Sequence, residues 1–156
     1  MDRLYWAPDN ANLPVRMVLH ELDLSYEAIS VDRSLAAHKA ADYLALNPQG
    51  LLPVLVAEGQ DEPLFETAAI LLHLADREGR LGAPSEAARG RLVKWLFYLS
   101  NTLHADLRVL FHSERYVADV AVVPVLRAGV RALVERHLAL LDQAIEAAGG
   151  PWFLGQ

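Results

Sequence analysis

Leu92, Trp95, Leu96, Leu99, Leu103, Leu107 and Leu110 follow one another at spacings of 3, 1, 3, 4, 4 and 3, which lays one apolar stripe along a long helix. A second long helix is predicted from Val122 or Pro124 to Ala148, where Gly149-Gly150-Pro151 stops it. The first half of the chain has a different rhythm. "RLYW" is a short strand-like run that ends in the turn-rich "APDNAN". Pro14 suits a first helical turn, and Val15, Val18, Leu19 and Leu22 then recur at helical spacing. "YEAISV" predicts a second strand, and "HKAADYLAL" a short helix that stops before Asn47-Pro48. After Pro53, "VLVA", a turn at "EGQDEP" and "LF" predict a hairpin of two short strands. A helix from about Glu66 to Glu78 follows, with Ile70 and Leu74 on one face. The expected order is therefore βαβαββα over residues 1–78, a Gly/Pro/Ser-containing linker "GRLGAPS" at 79–85, and an all-α domain over 86–156.

Composition narrows the function classes. The chain has 156 residues, 53% of them hydrophobic, enough for a core in one domain or two small ones. Its formal charge is −6 and its basic residues are scattered singly, which argues against a nucleic-acid partner. It contains no cysteine, so a disulfide, Cys-ligated zinc or a thiol nucleophile of its own is excluded. Redox chemistry would need a borrowed sulfur. "MDRLYWAPDN" has no basic stretch followed by an apolar one, and no uncharged apolar run nears the ~18 residues of a membrane span. A soluble cytoplasmic protein without a membrane partner is the expectation. "HELDL" lacks the second histidine of a zinc helix, and no serine lies in a G-x-S-x-G turn, so neither a metal site nor a serine hydrolase is supported.

"LALNPQGLLPVLV", residues 44–56, poses a question of its own. Pro48 biases Asn47 away from helix, Gly50 allows positive φ, and Pro53 removes a backbone donor where a strand should begin. Such a loop is built to be rigid. The other end of the chain, "PWFLGQ", is aromatic where polar residues are usual. Either Trp152 and Phe153 tuck back onto the helices, or the chain is the front part of a longer one.

These pieces, taken in order, resemble the cytosolic glutathione transferases, with beta- and theta-like bacterial features. "NPQGLLPVL" is similar to the family's loop into its third strand and "FETAAILLHLAD" to its Glu/Gln-Ser helix start. "WLFYLSNTLHADLRVLF" resembles the fourth helix of beta-type members, and "WFLGQ" the segment before the sixth helix, so the helices after it would be lacking. The resemblance implies a thioredoxin-like N-terminal domain that binds glutathione as co-substrate, an α-helical C-terminal domain, and a homodimer formed between the first domain of one subunit and the helices of the other. It implies that Pro53 is cis and that Leu52 offers its backbone to the cysteinyl part of glutathione like a pairing strand.

Glu66-Thr67 at a helix start suits the γ-glutamyl group: free N–H groups and the Thr67 hydroxyl for its carboxylate, the Glu66 carboxylate for its ammonium. An ordinary helix start with an acid in its first turn has the same residues. His38 and Gln49 stand where relatives reach the glycyl carboxylate or the peptide. His104, Leu103, Leu107 and Phe111, with Trp95 and Leu99, would line the pocket of a small hydrophobic electrophile, although the same stripe serves as core. Asp106 reads as a solvated acid. The thiol activator departs from the family pattern: Ala11 stands at the beta-type cysteine position, Asn12 at the serine position of other classes, and Tyr5 where the tyrosine classes keep theirs. Asn12 is favoured over Tyr5, while a helix cap and core packing also account for the two. The activity implied is conjugation of the glutathione thiolate. Glutathione-dependent disulfide or peroxide reduction is the alternative enzyme, and a non-catalytic binding module the alternative class.

Overall fold

The computed structural model describes residues 1–81 and 85–153. Contacts divide the chain into two compact units, Met1–Gly82 and Ala83–Gln156. In the first, the elements run β1 (Asp2–Trp6), α1 (Leu13–Glu21), β2 (Tyr26–Ser30), α2 (Ala41–Leu46), β3 (Val54–Val56), β4 (Leu64–Phe65) and α3 (Thr67–Glu78), the expected βαβαββα order. The sheet order is β2-β1-β3-β4. β1 pairs in parallel with β2, from Asp2 against Tyr26 to Trp6 against Ser30, and antiparallel with β3, with Tyr5 against Val54. β3 and β4 close the antiparallel hairpin, with Val54 opposite Phe65.

Alternation along β1 distributes its side chains to two layers. Leu4 packs with Val15, Leu19 and Leu22 of the α1 region and with Ile70 and Leu74 of α3. Tyr5 and Ala7 lie with Tyr43 of α2, Val31, Leu52 and Val54. All three residues of β3 are buried, as its unbroken apolar run requires of a strand covered on both faces. The helix predicted over "HKAADYLAL" is split in two: Ala37–Lys39 forms a 3-10 turn, and Ala40, extended at φ −68° and ψ 150°, separates it from α2. Asp2 is buried at the start of β1, where its Oδ1 accepts from the Glu58 N–H at 2.9 Å and its Oδ2 meets Arg77 at 2.8 Å, tying the first strand to the hairpin turn and to α3.

The helical unit starts at α4 (Glu86–Phe97), capped by the Ser85 hydroxyl, which accepts from the Ala88 N–H at 3.2 Å. The single long helix expected here is interrupted. A π-helical segment, Tyr98–Leu103, separates α4 from α5 (His104–Phe111). After a pair of 3-10 turns, α6 (Val123–Ala148) begins with Pro124 in its first turn and ends at Gly149, φ +72°. Leu103, Val130, Val134 and Leu141 form the buried centre, with Trp95, Leu99, Leu107 and Phe153 against it. Phe153 stacks on Trp95 at 4.9 Å while Trp152 is exposed. Leu154 to Gln156 and linker residues 82–84 lie outside the described residues.

Asp106 is not the solvated acid that its sequence context suggested. Its carboxylate is 3.0 Å from His137 Nε2, and His137 Nδ1 is 2.7 Å from the Tyr98 hydroxyl, a relay that joins the π-helical segment and α5 to α6. Among the described residues, no helix is long and apolar enough to cross a membrane.

Candidate functional site

The loop that the sequence marked as rigid is held by more than its prolines. Asn47, 2% exposed, donates from Nδ2 to the Leu51 carbonyl at 2.9 Å and accepts the Gln49 N–H on Oδ1 at 3.0 Å. The Tyr43 hydroxyl donates to the same Leu51 carbonyl at 2.7 Å. Burial, followed by the neighbouring Tyr5, pushes the Tyr43 phenol well above its ordinary pKa, so it acts as a donor. Gly50 sits at φ +63°, and a Cβ there would lie 2.9 Å from the His38 carbonyl oxygen. The next peptide bond, Leu52-Pro53, is cis, and both residues are buried.

Asn12 stands at the N-cap position of α1 but does not cap it. Its Oδ1 turns back across the loop and accepts the Ala7 N–H at 3.1 Å, and the residue is only 3% exposed. With the amide oxygen committed, Nδ2 remains as a donor without a partner among the described residues. The Thr67 hydroxyl donates to the Ala11 carbonyl at 3.1 Å, bringing the start of α3 against the residue before Asn12. Glu66 is the N-cap of α3 at φ +72° and ψ 114°, a backbone region costly for a residue with a Cβ. Its exposed carboxylate accepts from Gln49 Nε2 at 3.3 Å. The free N–H groups of the first α3 turn open beside it.

Asn12, Thr67, Glu66 and Gln49 are thus linked, directly or through one neighbour, around the α1 and α3 starts. His38 reaches the same loop through its carbonyl oxygen beside Gly50. Its Nδ1 is buried without a hydrogen-bond partner, and desolvation, then the charges of Arg33 and Lys39, lowers its pKa. Tyr5 is half-buried and meets the Tyr43 ring edge-on at 6.0 Å, in the layer with α2.

The residues expected to line an electrophile pocket belong to the helical unit. Leu103 is buried against α6, Leu107 packs beside it, and His104 and Phe111 are exposed. Two structural residues of the site, Asn47 and Tyr43, were missed. In the sequence Asn47 shows only as the residue before a proline, and the eight-residue separation of Tyr43 from Leu51 carries no signature.

A mixed four-stranded sheet between helices, with a cis-proline strand entry and a separate helical unit, defines a thioredoxin-like domain followed by an all-α domain. The family model "Glutathione S-transferase, N-terminal domain" matches residues 13–77. Glutathione S-transferase 3 of Zea mays is 36% identical over 149 residues, covering 92% of this chain and 64% of the maize protein. Disulfide-bond oxidoreductase YfcG of Escherichia coli K12 is 26% identical, covering 98% of this chain and 72% of that protein. A Burkholderia graminis glutathione transferase, solved with two glutathione molecules bound per subunit, superposes with a TM-score of 0.87 at 26% identity, over 99% of this chain and 65% of that one. The chain matches the N-terminal domain of the glutathione S-transferases over residues 13–77 and is similar to proteins of that family along most of its length. It spans 64% and 49% of the length of the first two curated relatives it matches.

Proposed function

We propose that the first unit binds glutathione and that the Asn12 amide stabilises its thiolate for attack on a small hydrophobic electrophile. The observation that carries this reading is the Ala7 N–H held on Asn12 Oδ1, which commits one end of the amide and leaves Nδ2 to donate. In this scheme the γ-glutamyl carboxylate takes the N–H groups at the α3 start, and its ammonium meets Glu66, with Gln49 beside it. The Leu52 backbone pairs with the cysteinyl residue, and His38 serves the glycyl end. The thiol proton leaves to solvent, the sulfur forms a C–S bond to the electrophile, and the electrophile's leaving group departs with its bonding electrons. His104, Leu103, Leu107 and Phe111 remain candidates for the electrophile's surroundings, and a homodimer remains the expected assembly.

Likeness to a disulfide-bond oxidoreductase favours a second reading. The chain has no cysteine, so a glutathione thiolate held at Asn12 would attack a glutathione mixed disulfide, forming glutathione disulfide and releasing the substrate thiolate. Calorimetric titration with glutathione tests the binding step, and absence of binding overturns both readings. Turnover of chlorodinitrobenzene supports the transferase, turnover of a glutathione mixed disulfide alone supports the reductase, and binding with neither activity supports a non-catalytic module.

A further inference from the structure

Tyr98, His137 and Asp106 take no part in the glutathione site, and a fourth side chain stands at the head of their relay. Half-buried Trp95 packs edge to face on Tyr98, with ring centroids 5.7 Å apart and planes inclined by 84°. The Tyr98 hydroxyl is 2.7 Å from His137 Nδ1, and His137 Nε2 is 3.0 Å from Asp106 Oδ2. An ionised carboxylate can only accept, so Nε2 carries the ring proton, Nδ1 is the acceptor, and Tyr98 donates to it. Both nitrogens are thereby committed, and the His137 side chain is only 17% exposed. Tyr98 also opens the π-helical segment, a deformation that is frequent at functional sites. Residues 83–156 contain neither cysteine nor methionine, so indole and phenol are the most readily oxidised groups of the helical unit.

We infer that Trp95, Tyr98, His137 and Asp106 are a one-electron relay that takes oxidising equivalents from a radical oxidant, such as a peroxide-derived radical, and holds them as a neutral radical on Tyr98. The oxidant removes one electron from the Trp95 indole and leaves a radical cation. Tyr98 then passes an electron to Trp95 while its hydroxyl proton crosses to His137 Nδ1, 2.7 Å away. The indole is restored, the phenol becomes a neutral tyrosyl radical, and the imidazole becomes an imidazolium. One electron has left the protein and no proton has. The Asp106 carboxylate balances the imidazolium at 3.0 Å. Lys94 sets the direction, because its ammonium lies 4.5 Å over the Trp95 ring, where a full positive charge disfavours an indole radical cation and acts far less on a neutral radical. A phenol without a proton acceptor would itself have to become a radical cation, which is the more costly route. This is redox chemistry that needs no sulfur, and it does not rest on glutathione binding.

The test is flash photolysis of the whole chain with a ruthenium tris-bipyridine sensitiser and an irreversible electron acceptor, followed by transient absorption and by electron paramagnetic resonance of frozen samples. A tryptophan radical should appear first and give way to a tyrosyl radical. The second step should be slower in deuterium oxide, because a proton moves with the electron. Tyr98→Phe should remove most of the tyrosyl signal and prolong the tryptophan radical, whereas Tyr116→Phe, at an exposed tyrosine of the same unit, should change neither. His137→Phe keeps an aromatic ring against Tyr98 without the acceptor, and should slow tyrosyl formation by about tenfold or more. Circular dichroism checks that the helices persist in each variant, and the deuterium measurement on the unaltered chain needs no variant at all. A tyrosyl signal that survives Tyr98→Phe, a rate unchanged in folded His137→Phe, or no effect of deuterium oxide would overturn the inference. Failure of glutathione to bind leaves it standing, because none of the four residues belongs to the glutathione site.

Discussion

Replacing Asn12 by Ala removes two interactions that can be separated. The first is structural: the Ala7 N–H, 2% exposed as a residue, loses the oxygen it meets at 3.1 Å, which costs about 1–3 kcal/mol for a buried donor left unpaired. The second is chemical. A hydrogen bond to a charged acceptor is worth about 1.5–3 kcal/mol, so losing the Nδ2 donor raises the pKa of bound glutathione by ~1–2 units at 1.36 kcal/mol per unit. If the bound thiol titrates near ~6.5, about three quarters is thiolate at pH 7, and a return to ~8.5 leaves about 3%, a loss of about 25-fold in reactive species. That loss is recovered as pH rises above the new pKa. Asn12→Asp separates the two effects, because one carboxylate oxygen keeps the Ala7 N–H while the other sets a negative charge against the thiolate. Its stability should stay near wild type while its thiol pKa rises at least as far as in the Ala variant. The measurements are the pH profile of kcat/KM and the ultraviolet absorbance of the bound thiolate, each beside a urea melt. A thiol pKa unchanged in folded Asn12→Ala refutes the assignment, and a rise in Tyr5→Phe instead transfers it to Tyr5.

Asp2→Ala should destabilise the first unit by about 2–3 kcal/mol in urea, since it breaks a buried carboxylate's contacts with Glu58 N–H and Arg77; Arg77 keeps Glu78 and some water, which holds the loss below the ~3–5 kcal/mol of a fully buried pair. Gly50→Ala should cost about 1–2 kcal/mol for its left-handed backbone alone, and more for the 2.9 Å approach to the His38 carbonyl, with glutathione affinity falling in the same calorimetric titration. Because the folded pKa of His38 is lowered, its contribution to stability is full above the unfolded value of ~6.5 and is lost as pH falls through the folded value. Urea midpoints measured across that window should therefore slope upward with pH, and His38→Phe should flatten the slope.

Where local pattern and tertiary packing impose the same period, the fold was legible. β1 alternates because its two faces meet different helices, and α3 repeats Ile70 and Leu74 because both touch the same core. The split at Ala40 was not legible, since an alanine favours helix and only the tertiary course of the loop makes it extended. At the candidate site, the sequence marked Asn12, Glu66, Thr67 and Pro53 through their place in a recognisable order of elements. The hydrogen bonds that orient Asn12 and Thr67 could not be read from residue types, because Thr67 meets Ala11 across 56 positions of chain. Glu66 at positive φ was equally hidden: glutamate has no preference for that backbone, and only the link from β4 into α3 imposes it.

The Tyr98–His137–Asp106 relay depends on a break in the helix that the longest apolar stripe of the sequence does not show. Tyr98 and Asp106 are eight residues apart, a separation that in a regular α-helix turns the second side chain about 80° away from the first. Both nevertheless reach the two nitrogens of one imidazole on α6, at 2.7 and 3.0 Å. Tyr98 opens the π-helical segment and Asp106 follows it in α5, and the wider turns of that segment change the register by enough to bring both onto the α6 side. The leucine spacing across this stretch does not show the change, because Leu99 and Leu103 remain four apart and still pack inward. A bulged helix thus keeps its apolar face while gaining a polar bridge, and that bridge ties three helices through side chains which the sequence alone presents as an ordinary solvated face. The consequence is that the relay, more than the leucine stripe, selects the pairing of the π-helical segment and α5 with α6, since apolar contacts tolerate a shifted register and two short hydrogen bonds to one ring do not.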